Sequence, residues 1–129
     1  MTLALTPDMA ALSLAPATAT FKIEAQADNG LMGSLAVWGL EASHENGLPV
    51  RWHGMNGCRG GPSQKFYITK IGEPNMYRIE ARADNGLMGS LAVWGLESSH
   101  ENGLPVKWHD MSWFRGGPSQ EFYITPPLR

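Results

Sequence analysis

Residues 21–69 read FKIEAQADNGLMGSLAVWGLEASHENGLPVRWHGMNGCRGGPSQKFYIT, and almost the same text returns at 77–125. At an offset of 56, ten of the 49 aligned positions differ, leaving 39 identical. A fixed internal period dictates architecture before any local reading does. Several differences are mild: Phe21/Tyr77, Lys22/Arg78, Ala42/Ser98 and Arg51/Lys107. The harsher ones cluster, with Gly54-Met55-Asn56-Gly57-Cys58 facing Asp110-Met111-Ser112-Trp113-Phe114. Lys70 to Met76, carrying Gly72 and Pro74, reads as the linker. The expectation is two equivalent units about a pseudo-symmetry axis, with any site inside a unit occurring twice.

Each unit reads as four short β-strands. Phe21-Lys22-Ile23-Glu24-Ala25 alternates apolar and polar residues, as a half-buried strand does. Asp28-Asn29-Gly30 and Glu45-Asn46-Gly47 are turn signals, because Asn and Gly accept positive φ. Strands are predicted at 33–40 and 48–53, with Pro49 delaying the latter or placing it at an edge. A Gly-rich loop leads to Gln64-Lys65-Phe66-Tyr67-Ile68-Thr69, the fourth strand. Copy two repeats the pattern at 77–81, 89–96, 104–109 and 120–125. Helical periodicity is weak and confined to Asp8 to Leu14. The fold class expected is therefore all-β: residues 1–20 as an N-terminal arm, 21–69 and 77–129 as two tandem repeats sharing one core.

The pattern resembles one repeat of the ricin-B-type β-trefoil lectins. The resemblance lies in Tyr77-Arg78-Ile79, in Gly89-x-Leu91-Ala92-Val93, in Asn102-Gly103-x-Pro105-Val106-x-Trp108, and in a closing Gly116-Gly117-Pro118-Ser119-Gln120-x-Phe122. The family closes on Gln-x-Trp, which helps to build its shared core; here the closing element is Gln64-x-Phe66 and Gln120-x-Phe122. A trefoil needs three repeats and this chain has two. Trp38 and Trp94 stand near the position of the family's sugar-ligating Asp, and Ser63 and Ser119 replace the Asn before the closing Gln. The resemblance thus implies a repeated β architecture more than a particular sugar site. Two arrangements stay open: a single pseudo-symmetric barrel or sandwich of about eight strands, or a trefoil-like assembly completed by several chains.

Composition narrows the function. The chain has 129 residues, with 10 Lys+Arg against 12 Asp+Glu and a net charge of -2. A slightly acidic protein lacks the basic face that nucleic acid or an anionic membrane surface requires. No stretch is long and apolar enough to span a bilayer. The single Cys58 rules out an intrachain disulfide framework. Residues 1–20 carry no Lys or Arg, and Pro7-Asp8 interrupts the apolar run, so they read as an arm or edge strand rather than a secretory signal. A cytoplasmic or non-classically secreted protein is the expectation.

Trp38, Trp52, Trp94 and Trp108 are two positions written twice; Trp113 lies in the variable loop of copy two. An exposed Trp stacks on the apolar face of a pyranose, whereas a buried one anchors a small β core. Strand alternation puts Trp52 and Trp108 in the core and leaves Trp38 and Trp94 open between the two roles. Turns place polar side chains at a rim, where binding groups concentrate. The expected ligand-binding set is therefore Trp38, Trp94 and Trp113 with Asp28, Asn29, Glu45, Asn46 and Arg59 and their partners Asp84, Asn85, Glu101, Asn102 and Arg115. The histidines His44, His53, His100 and His109 match no tight metal-ligand spacing. No nucleophile elbow, carboxylate pair or phosphate loop is present, so no catalytic residue, metal or cofactor is expected. The reading is a non-catalytic carbohydrate-binding protein, a lectin, with two equivalent sites and glycans as partners. The alternative is a self-assembling or protein-binding module, such as a toxin, inhibitor or defence protein, forming a homo-oligomer.

Overall fold

The computed structural model describes residues 3–7, 20–40, 45–54, 61–96, 98–99, 101–110, 117–126 and 128. Within these the chain is all-β, with no helix beyond single 3-10 turns at Pro62–Gln64 and Pro118–Gln120. The strands are β1 Leu3–Pro7, β2 Thr20–Gln26, β3 Met32–Val37, β4 Leu48–Gly54, β5 Phe66–Gly72, β6 Met76–Arg82, β7 Met88–Val93, β8 Val106–Asp110 and β9 Phe122–Tyr123. Seven close an antiparallel ring in the order β2-β3-β4-β8-β7-β6-β5, with β5 returning to β2 through Thr20↔Tyr67 and Phe21↔Phe66. β1 is added outside the ring on β2, and the two-residue β9 on β6. The barrel closes within one chain.

The hairpins form where the turns are. Gly30 and Gly86 take φ of 90° and 89°, which a Cβ would oppose. Their hairpins share a register at the offset of the repeat: Glu24 faces Ser34 as Glu80 faces Ser90, and Leu35 faces Trp52 as Leu91 faces Trp108. The ring has seven strands rather than about eight because the last segment stays off it. Residues expected as a strand at 120–125 begin with a 3-10 turn, and only Phe122–Tyr123 pairs. The place beside β2 is taken by β1. Its Ala4, Leu5, Thr6 and Pro7 face Glu24, Ile23, Lys22 and Phe21. On β6 the corresponding partners are Tyr67, Ile68, Thr69 and Lys70.

The barrel interior holds Ile23, Val37, Leu40, Phe66, Ile79, Ala81, Leu91 and Trp108, with Leu35, Leu48, Val50, Ile68, Val106 and Phe122 packed around them. The closing Gln64 and Gln120 are buried beside this core. The Lys70 to Met76 stretch is a hairpin turn: β5 runs on to Gly72 and β6 begins at Met76.

Three local expectations are corrected. The strand from residue 33 ends at Val37, because Gly39 turns the chain with φ of 91°. Pro49 does not delay its strand: it pairs with Lys107 of β8 in a two-residue ladder, whereas Pro105 does precede its strand. Trp108 is fully buried, but Trp52 is 37% exposed. The backbone neighbourhoods differ: Leu48 of β4 pairs with Trp108, and Gly47 N–H donates to the Trp108 carbonyl at 2.8 Å. The helical hint at Asp8 to Leu14 lies outside the described residues.

Candidate functional site

Trp38 and Trp94 follow directly after β3 and β7 on the turns that end them, so neither is held in the barrel. They are 48% and 39% exposed. Their surroundings differ although their sequences match. Trp38 stacks on His53 with ring centroids 4.5 Å apart and planes 13° apart, and the Arg51 guanidinium lies 5.5 Å from its ring centre. Trp94 carries the Lys107 ammonium 4.5 Å from its ring centre and leans on Gly47, where a Cβ would stand 3.2 Å from the indole. Trp94 of the second unit thereby meets the Glu45-Asn46-Gly47 turn of the first. Each indole is a partly exposed apolar plate with a cation over its ring.

Several polar side chains expected around a ligand also serve the fold. Asn29 Oδ1 accepts from Leu31 N–H at 3.0 Å, and Asn85 Oδ1 from Leu87 N–H at 2.9 Å, each closing its own turn. Asn46 Oδ1 accepts from Asp110 N–H at 2.8 Å, tying one unit to the other. Asp28, Glu45, Asp84, Glu101 and Asn102 are exposed. Arg59, Trp113 and Arg115 lie outside the described residues. Among the described residues no group of three or more His, Cys, Asp or Glu is placed to hold a metal ion.

His109 is buried, and its partners set its proton. The Gln120 amide Nε2 lies 3.1 Å from His109 Nε2, and an amide nitrogen can only donate. His109 Nε2 therefore accepts, and Nδ1 carries the hydrogen donated to the Asp110 carbonyl at 3.2 Å. The Gln of the closing element is thus a core group.

The structure also assembles a site that the sequence reading missed. Pro62, Lys65, Tyr67, Arg82, Ala83 and Asp84 line an open cleft of about 280 Å³. The first three belong to the closing element of the first unit, the last three to the end of β6 and the turn that follows it in the second. The Arg82 guanidinium sits 5.2 Å from the Tyr67 ring centre. Of the cleft residues only Asp84 was expected at a site. A signal was available: Lys65/Glu121 and Gln26/Arg82 are two of the ten positions at which the copies differ, and both change charge.

No protein-family model, curated protein or solved structure matches the chain. Among the described residues no helix is long and apolar enough to cross a membrane.

Proposed function

We propose that the protein is a non-catalytic carbohydrate-binding protein, a lectin, with Trp38 and Trp94 as two sugar-stacking platforms. The observation that carries this reading is the exposure of both, 48% and 39%, at matched positions directly after β3 and β7. Binding is stacking of the indole on a pyranose face, with Arg51 and Lys107 and neighbouring exposed carboxylates meeting its hydroxyls. Two linked platforms give avidity on a multivalent glycan surface without further contacts. A ricin-B-like origin of the repeat belongs to the same proposal.

A glycan array tests it. One sugar class should be retained by the parent protein and lost together in Trp38→Ala/Trp94→Ala, with the unfolding transition kept. An array profile unchanged by that double substitution overturns the reading.

A second reading, a self-assembling or protein-binding module, is favoured by Leu31, Met32 and Leu87, large apolar side chains exposed beside the two hairpin turns. A blank array together with a concentration-dependent mass by light scattering would select it.

A further inference from the structure

We infer that the cleft between the closing element of the first unit and the first turn of the second is a single site for a carboxylate-bearing sugar. The inference rests on the carbohydrate reading for the sugar, and on the cleft alone for the charge.

The charge argument begins with divergence. Lys65 and Arg82 come from different units, yet they line one cleft. At the corresponding positions the other copies carry Glu121 and Gln26, a combination with no cation. Two of only ten differences therefore converge on one place and make it doubly cationic. The reciprocal cleft is not assembled at all. Tyr67 faces Glu80, but the position facing Glu24 is held by Ala4 of β1, while Tyr123 pairs with Met76. Among the described residues the site occurs once, unlike the tryptophan platforms.

The ligand class follows from the lining. Lys65, Arg82 and Asp84 are exposed, and among the described residues no ion pair engages any of them. Two cations suit one carboxylate, the guanidinium offering paired donors and the ammonium a point charge. Asp84 opposes a bare anion but accepts hydrogen bonds from hydroxyls. Tyr67 offers a ring and a further hydroxyl group. A molecule with one carboxylate and several hydroxyls satisfies all four side chains. About 280 Å³ lies at the small end of ligand cavities, with room for one ring.

The test titrates the full chain with glucuronate, glucose and acetate, followed by NMR. Glucuronate should bind more tightly than either of the others, and its affinity should fall as salt is added. Lys65→Glu/Arg82→Gln, which writes the other copy's residues into the cleft, should weaken glucuronate by about tenfold or more. Equal binding of glucose, equal binding of acetate, or glucuronate binding untouched by the double variant each overturns the inference. Titrating Trp38→Ala/Trp94→Ala with glucuronate separates the two readings. Binding kept there with a blank array fails the platforms alone; binding absent everywhere, with array hits that depend on the tryptophans, fails the cleft alone.

Discussion

The indole of Trp108 lies against the backbone of Gly89 so closely that a Cβ on that glycine would stand 2.2 Å from Cε2. The same is true of Trp52 over Gly33, where the His53 carbonyl oxygen would also be met at 2.4 Å. The missing side chain is what lets each tryptophan cross its neighbouring strand and donate from Nε1, to Ala81 at 2.9 Å and to Ala25 at 2.8 Å. Gly89→Ala and Gly33→Ala should each cost about 2 kcal/mol or more in urea unfolding, because overpacking a fixed ring forces backbone shifts. Gly86→Ala, with φ of 89° and nothing near its Cβ, should cost about 1–2 kcal/mol from backbone strain alone.

The two crossing tryptophans should not be equivalent on truncation. Trp108 is fully buried and Trp52 is 37% exposed, so less area returns to water in the second case. Trp108→Ala should cost about 3–5 kcal/mol, the range for a fully buried aromatic. Trp52→Ala should cost at least about 1 kcal/mol less, since a partly exposed side chain buries less apolar surface. Equal losses in chemical denaturation would show that exposure is not what separates them.

Gln120 and His109 form a buried pair with assigned roles. Long-range ¹⁵N–¹H spectra should show His109 as the Nδ1–H tautomer. Gln120→Ala should cost about 1–3 kcal/mol, because it leaves a buried ring nitrogen without its donor. In that variant the tautomer preference should weaken, which a purely steric role for Gln120 would not produce.

β1 covers an edge of β2 through five facing residue pairs. Deleting residues 1–19 exposes those backbone groups to pairing with another chain. The shortened protein should self-associate with rising concentration, as read by light scattering, whereas the full chain at the same concentration should not do so through that edge.

Much of the barrel was legible because its signals are local. Alternation located β2 and β6 to within one residue at each end, and Asp28-Asn29-Gly30 marked a real hairpin turn. What was not legible depends on the seam between units. Trp52 and Trp108 have nearly the same sequence neighbours, so no reading of either could tell that the β4–β8 ladder pairs only Trp108, with Leu48. The cleft is likewise invisible to motif logic, since Lys65 and Arg82 come to line it only through the pairing of β5 with β6. The asparagines are a different case. Their positions were found, but the demands of the turns account for Asn29 and Asn85 without a ligand.

The β1 register also bears on how many units such a chain can hold. Ala4 to Pro7 meet β2 at the positions where Tyr67 to Lys70 meet β6. The edge of β2 is therefore a socket with a standard fitting, filled here by a segment that is not part of a repeat. A chain carrying a third copy of the unit ahead of Phe21 should seat that copy's Tyr-Ile-Thr strand in the same socket and dispense with β1. Native folding of such a concatemer, followed by its unfolding midpoint, would show that unit number in this architecture is modular, set by the occupant of one edge and not by closure of the ring.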